Sequence, residues 1–418
     1  MKVMLLGAGA VGEAYAVLTA KADPHGQWLK KLVVADFVIE RAREVCKGVG
    51  GGDRFPAVQV DAGDRNRIVE VVRQNDIDLI LNGCPQSFDE PIFDAAFTAG
   101  CHYMDMAMSL SERHPAEPFR KVGGLLGDYQ FARHKEWEEK GRLALLGMGI
   151  DPGVSEVFAA YADKYLFDEI DEIGIRDGSN ISMPGCPYAT GFSVWSVIEE
   201  CLNPPVFWEK SRGHYTGDPM SEPEVFDFPG GIGPLEVVAI EHEEVINIPR
   251  WIQKGLKKVT FKISLGKELM EALKMLDQMG LAHCDPVNVK GVEVVPRDVV
   301  EACLPDPART GHQMRGKISV GTWVKGRKDG REREIYLYQV SDNEACMQQF
   351  GCQAVAAQTA SGPAIATELL AKGIWKSSGV LPPEAFDPDP FMARMAAYGF
   401  SYDIRDSWKK PQINRPVS

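Results

Sequence analysis

The sequence predicts an α/β protein: a doubly wound parallel sheet, completed by the C-terminal segment, with an α+β mixed-sheet domain inserted into it. Three observations point there. Strand and helix signals alternate from residue 1 to residue 150. A glycine-rich turn, Gly7-Ala8-Gly9-Ala10-Val11-Gly12, joins the first strand to the first helix. A long Ala-rich helical pattern returns after Cys346, beyond a middle stretch of strands. The expected boundaries are residues 1–150 with 345–418 for the parallel-sheet domain and 151–344 for the insert, which would carry substrate binding and dimerisation.

Each element has a local reason. Lys2 to Leu6 is an apolar run ended by glycines, as in a buried strand. Ala14 to Ala22 has no helix breaker. Leu32 to Asp36 is a second strand, followed by a helix from Val38 to Val45. Ala57 to Val60 is a third, and Asp64 caps the helix that runs to Gln74. Leu79 to Leu81 is the fourth, with a helix from Ile92 to Ala99 closed by Gly100. His102 to Asp105 is the fifth strand; a charged helix from Tyr129 to Lys140 leads to the sixth, Leu143 to Leu146. The short spacings suit right-handed crossovers.

The pattern changes after Asp151-Pro152-Gly153. A helix from Val154 to Tyr165 precedes strands at Glu172 to Arg176, Glu236 to Ile240, Lys258 to Ile263, Lys317 to Lys325 and Glu334 to Val340. Helices fall near Ser193 to Cys201 and Lys267 to Met279, and Gly326 to Arg331 reads as a hairpin turn. Prolines 382, 383, 388 and 390 mark an extended wrap, and beyond Tyr402 the chain reads as a polar arm.

Composition narrows the function. The net charge is −13, which disfavours nucleic acid as a partner because phosphate binding needs a basic surface. Nine cysteines occur without a CxxC pair, which argues against a disulfide framework and for a reducing, cytoplasmic setting. Glycines interrupt the N-terminal apolar run, so it does not read as a signal peptide, and no stretch is apolar for long enough to span a bilayer. The eight histidines are dispersed with no metal-ligand spacing, so no metal is expected.

The glycine turn carries the strongest chemical signal. A GxGxxG alone is weak; between a strand and a helix, with Asp36 ending the next strand, it is the Rossmann dinucleotide fingerprint. Gly7 permits the sharp turn, Gly9 lets a pyrophosphate approach the backbone, and Gly12 lets the helix pack on the sheet. Ala10 and Val11 open that helix, whose free N–H groups favour phosphate. Asp36, with Phe37 beside it, would take the ribose hydroxyls and repel a 2′-phosphate, which reads as NAD over NADP. Arg41 or Arg43 swinging to a 2′-phosphate is the NADP alternative; helix capping is the alternative role for Asp36. Ligands in such sheets lie beyond the carboxyl ends of strands, so Asp61-Ala62 would meet the adenine end and Asn82-Gly83-Cys84-Pro85 the nicotinamide ribose.

With those residues in hand, the chain resembles the saccharopine dehydrogenase family. GAGAVG at Gly7, the Asn82–Pro85 loop, Ala99-Gly100-Cys101-His102-Tyr103-Met104-Asp105, the DPG junction in Gly149–Val154, and Gly379-Val380-Leu381-Pro382-Pro383-Glu384 carry the likeness. The resemblance implies hydride transfer between a nicotinamide and a C–N bond. It also implies amino acid, amine or keto-acid substrates, such as saccharopine, lysine or a carboxylated polyamine, and a homodimer. An acid at Asp36 departs from several NADP-using members, and Ile181 to Tyr188 is an insert that the resemblance does not map.

That chemistry needs an acid/base group and charge partners for the substrate. Asp105 and Asp151 end crevice strands, although Asp151 alternatively shapes the DPG turn. His242, Glu243 and Glu244 follow an apolar strand and read either as an amine-binding, proton-transferring cluster or as a solvated loop. Arg250 would clamp a carboxylate. Thr190 and Ser193 precede a helix whose N–H groups would hold one, and Trp195 either walls the pocket or packs in the core. Three functions remain open at this point. The first is an amino acid or opine dehydrogenase. The second is a polyamine-forming enzyme, either carboxynorspermidine dehydrogenase-like or homospermidine synthase-like, weakly favoured by the acidic run Glu241 to Glu244. The third is a non-catalytic NAD-binding sensor or scaffold.

Overall fold

The structure is a computed structural model that describes residues 1–186, 188 and 190–408. The Ile181–Tyr188 insert falls partly outside these residues, and the end of the expected polar arm, 409–418, wholly outside.

Among the described residues, the strands in the first part of the chain are β1 (Lys2–Leu6), β2 (Lys31–Asp36), β3 (Ala57–Gln59), β4 (Leu79–Asn82), β5 (His102–Met104) and β6 (Leu143–Leu145). The middle part supplies β7 (Glu169–Ser179), β8 (Val206–Glu209), β9 (Gly213–Thr216), β10 (Ser221–Phe228), β11 (Gly233–Ala239) and β12 (Lys258–Ile263). The short pair β13 (Val287–Val289) and β14 (Val292–Val294) stands apart, followed by β15 (Lys317–Lys328), β16 (Arg331–Asp342), β17 (Gly379–Leu381) and β18 (Tyr402–Asp406).

The first sheet has the order β17-β6-β5-β4-β1-β2-β3 and is parallel throughout. Strand order reverses between β1 and β4, which opens the ligand crevice of a doubly wound sheet beyond their carboxyl ends. All four residues of β4, and β1 from Val3 onward, are buried, as expected of strands covered by helices on both faces. Asp64 caps the helix Arg65–Asn75 by accepting the Arg67 N–H. Gly100 closes the helix Asp89–Ala99 at φ 77°, a left-handed position that glycine takes without cost.

The second sheet runs β10-β11-β12-β7-β15-β16-β18, with β8 and β9 attached to β12. It is mixed, because β12 and β7 pair in parallel while the remaining pairs are antiparallel. The helix Ala354–Ala371 brings the chain back and packs on the first helix, where Tyr15 and Thr367 share a 3.0 Å hydrogen bond. β17 then extends the first sheet beside β6.

Several expectations need correction. Residues Tyr402–Asp406 are not an arm: they form β18 on the edge of the second sheet, paired with β16. Their side chains alternate between half-buried and exposed before Asp406, the pattern of an edge strand, which composition alone reads as a polar tail. Gly326 lies inside β15, where a Cβ would sit 2.1 Å from the Glu169 carbonyl; the hairpin turn is Asp329-Gly330, both at positive φ. The charged helix is split at Arg133 into Asp128–Ala132 and His134–Glu139. A helix, Glu244–Trp251, stands where a loop was the alternative. Among the described residues, no helix is long and apolar enough to cross a membrane, and the nine cysteines are unpaired.

Candidate active site

Two adjoining hollows occupy the crevice. The outer one, of about 680 Å³, is bounded by Gly7, Gly9, Asp36 and Asp61 on one side and by Glu301 and Asp306 of the inserted region on the other. The inner one, of about 190 Å³, lies deeper between the two sheets. Val11, Gly83, Cys84, Pro85, Phe192 and Ser193 border both.

The outer hollow has the features a dinucleotide requires. A Cβ at Gly9 would meet nothing within 4 Å, so the turn faces open space where a pyrophosphate would rest. Gly7 has φ +97° and would collide with the Gly83 carbonyl at 2.5 Å if it carried a side chain. Gly12 lines neither hollow; its Cβ would fall 2.0 Å from the Gly7 carbonyl, so it serves the close packing of helix on turn. Asp36 accepts the Ala8 N–H at 2.7 Å and the Val38 N–H at 2.8 Å, which holds its carboxylate at the rim. Phe37 is 67% exposed beside it, and Ala10, Asp61 and Ala62 also border this space. Asp61 additionally accepts the Gly63 N–H. Arg41 is bound to Asp306 at 3.2 Å.

The inner hollow is acidic. Asp89, Asp105, Asp151, Asp177 and Glu200 line it together with His242, and its described lining contains neither lysine nor arginine. Asn82, buried under the crevice floor, donates to Asp89 at 2.6 Å and accepts from the Cys84 N–H at 3.0 Å. Asp105 accepts the Gly147 N–H at 2.6 Å and the Gln130 amide at 2.8 Å. Burial nevertheless pushes its pKa up to about 7, with Glu243 adding to the rise. Burial does the same for Asp177 and for Glu200, each to about 7, and for Asp89 and Asp151, which stand well above the ordinary carboxylate range.

His242 lies flat on Phe261 of β12, ring centroids 3.6 Å apart and planes within 3°. Its Nδ1 is 2.6 Å from Glu244 and 3.4 Å from Glu243. Burial opposes its charge, but Glu244, Glu243 and Asp151 outweigh burial and raise its pKa well above the usual value. Glu243 also accepts the Met108 N–H, and Glu244 the Ser155 hydroxyl. The solvated-loop reading of this cluster is therefore overturned: all three residues are at most 6% exposed. Their donor atoms lie within 4.8 Å of one another, a spacing that a metal also uses, but their present bonds are those of an ion-paired imidazolium.

Other candidates lie elsewhere. Arg250 stacks on Phe131 and sits 3.6 Å from Asp128, away from both hollows. Trp195 donates to Asp298 and receives Arg297 over its ring, turned away from the inner hollow. Thr190 spends its hydroxyl on the Phe192 carbonyl outside the lining. Ser193 does border the site and caps the helix Val194–Leu202. Glu243 and Glu244 stand behind His242 rather than in the lining. Sequence reasoning missed Asp89, Asp177 and Glu200. Asp89 follows β4 within reach of Asn82 and carried the one readable signal; the other two sit on a strand and a helix whose inward faces only packing defines.

Comparison with known proteins places the chain among relatives. Residues 3–145 match the model of the saccharopine dehydrogenase NADP binding domain, and residues 149–400 that of the saccharopine dehydrogenase C-terminal domain. A carboxynorspermidine synthase from Vibrio cholerae is 30% identical over 416 residues, 97% of each chain. A carboxyaminopropylagmatine dehydrogenase from Synechocystis is 29% identical over 406 residues, 96% of each. Among solved structures, the saccharopine dehydrogenase (L-Glu forming) of Saccharomyces cerevisiae superposes with a TM-score of 0.67 at 17% identity, covering 97% of this chain and 99% of that one. The homospermidine synthase of Legionella pneumophila, solved with NAD, gives 0.66 at 14% identity, covering 100% and 93%. The chain thus belongs to the saccharopine dehydrogenase family and is an NAD(P)-dependent oxidoreductase acting on a C–N bond.

Proposed function

We propose that the substrate is a polycationic secondary amine, formed or cleaved through its imine, and that NAD is the preferred dinucleotide. One observation carries the substrate reading: an inner hollow lined by Asp89, Asp105, Asp151, Asp177 and Glu200 with His242, and, among the described residues, by no lysine or arginine. Carboxylates buried without cationic partners are costly, and ammonium groups offset that cost. A tricarboxylate substrate such as saccharopine would meet repulsion in the same space. The names of the relatives, a carboxynorspermidine synthase and a carboxyaminopropylagmatine dehydrogenase, accord with an amine of this kind.

Bound in the outer hollow, the dinucleotide supplies the hydride acceptor or donor. Gly7, Gly9 and the amide end of the first helix would hold its phosphates, and Asp36 its adenosine ribose. Asp105 takes the proton of the reacting ammonium, which frees the nitrogen lone pair to form the C=N bond as the C–H hydride departs. Its carboxyl, raised to about 7, is matched to that exchange near neutral pH. In the reverse direction Asp105 returns the proton to the product nitrogen. His242, held by Glu243 and Glu244, keeps one positive charge among the carboxylates and fixes the end of the hollow. The unpaired cysteines accord with a cytoplasmic setting, and the family resemblance suggests a homodimer, which light scattering tests.

The test is NAD(P)H fluorescence with purified protein against carboxylated polyamines, saccharopine and lysine, with each dinucleotide. Turnover of the polyamines above saccharopine and lysine is expected. Preference for saccharopine overturns the substrate reading. Dinucleotide binding without turnover of any amine would return the chain to the sensor class.

A further inference from the structure

Four of the five carboxylates of the inner hollow fall into two groups by how the scaffold holds them. Asp89 and Asp105 belong to the first sheet's carboxyl edge, at the start of the helix Asp89–Ala99 and after β5. Both are tied into the scaffold: Asn82 donates to Asp89, and Gly147 and Gln130 donate to Asp105. Asp151 and Asp177 form the second group. Asp151 leads into the helix Val154–Tyr161, and Asp177 lies near the end of β7 in the second sheet. Each is felt electrostatically by His242, and Asp177 is foremost among the charges acting on Asp151.

The second group differs in degree: Asp89 also keeps one buried oxygen, Oδ2, without a partner, but its Oδ1 and both oxygens of Asp105 are held by the scaffold, whereas among the described residues no scaffold hydrogen bond reaches the side chain of Asp151 or Asp177. Asp177 is 8% exposed, and its Oδ1 is buried with no hydrogen-bond partner. Asp151 Oδ2 is in the same condition. Both residues line the hollow. A buried acceptor left unpaired costs about 1–3 kcal/mol, and more when charged. The scaffold offers little to compensate, since the nearby cation, His242, is already engaged by Glu243 and Glu244.

We propose that Asp151 and Asp177 form an ammonium subsite that holds a second cationic nitrogen of the substrate, apart from the nitrogen that reacts near Asp105. The inference rests on the C–N oxidoreductase reading and makes it more specific. An ammonium has three N–H donors, enough to satisfy Asp177 Oδ1 and Asp151 Oδ2 together. Asp105 then carries the chemistry, and the Asp151–Asp177 pair measures the spacing between nitrogens. Chain length is selected because the pair stands apart from Asp105 in a hollow that the helix Ala354–Ala371 also borders through Val355 and Thr359.

The experiment compares the wild type with Asp177→Asn and with Asp151→Asn, each nearly isosteric. Calorimetry with dinucleotide present measures the binding of α,ω-diamines and of monoamines of equal length. Fluorescence measures turnover of a secondary amine bearing a terminal ammonium and of its methyl-terminated analogue. The wild type should favour the doubly cationic member of each pair by about 100-fold, and either substitution should cut that preference at least roughly tenfold, expressed in KM more than in kcat. A preference that survives both substitutions overturns the subsite. So does an equal loss for both members of the pair, because a general structural role would not distinguish them. Failure of the wild type to turn over any amine while binding dinucleotide overturns the oxidoreductase reading instead. The calorimetric comparison still judges the subsite in that event.

Discussion

Arg41 and Asp306 meet at 3.2 Å across the mouth of the outer hollow. Arg41 belongs to the helix Ile39–Gly48 that follows Asp36, and Asp306 caps the short helix Pro307–Thr310 of the inserted region. The pair is half-exposed and contributes little to stability. Its importance is chemical: the guanidinium that would neutralise a 2′-phosphate is already matched by a carboxylate, in a space that Asp36 also borders.

Cofactor preference should therefore follow Asp36. Asp36→Ala is expected to weaken NADH binding about tenfold or more and to narrow or reverse the discrimination against NADPH. Fluorescence titration with both dinucleotides measures this. An unchanged ratio of the two affinities would remove Asp36 from the ribose site.

Two glycines of the fingerprint should fail in different ways. Gly9→Val projects into the open cleft and should abolish dinucleotide binding while the circular dichroism and melting temperature stay near wild type. Gly12→Ala forces a Cβ against the Gly7 carbonyl and should cost roughly 1–3 kcal/mol of stability. Wild-type affinity in the Gly9 variant would show that the phosphates lie elsewhere.

Asp105 should set the pH dependence of turnover. Its carboxyl stands at about 7, so amine oxidation should rise with pH through that region as the base form accumulates. Asp105→Asn should lower kcat by about 10²–10⁴ and remove that limb from the kcat/KM profile. A profile that keeps the limb assigns the proton transfer to another group.

Folding stability should move the opposite way. Asp105, Asp177 and Glu200 have folded pKa values near 7, above those of the unfolded chain. Between about pH 4 and pH 7 the unfolded state loses these protons while the folded state keeps them, so stability falls as pH rises through that window and levels off above it. The melting temperature of the ligand-free protein should drop by several degrees from pH 5 to pH 8. A polyamine should recover more of it at pH 8 than at pH 5, because it binds the ionised carboxylates. A melting temperature that rises across this range would contradict the buried acidic hollow.

Local chemistry was readable wherever a short stretch decides the outcome. Gly7 to Gly12, Asp64 as a cap, Gly100 as a helix end and β12 at Lys258–Ile263 all depend on residues within a few positions of one another. The edge strand β18 and the helix containing Pro249 were not readable, because long-range pairing and packing overrode a polar or helix-breaking composition.

By itself, the sequence determined the dinucleotide turn, the parallel sheet around it and the family, since a backbone without side chains at Gly7 and Gly9 is a covalent property of those positions. Only the tertiary structure decided which acids share a space. Asp89, Asp105, Asp151, Asp177 and Glu200 lie on separate elements far apart along the chain, and what makes them a site is burial between two sheets, where removal from water raises their affinity for a proton or an ammonium group.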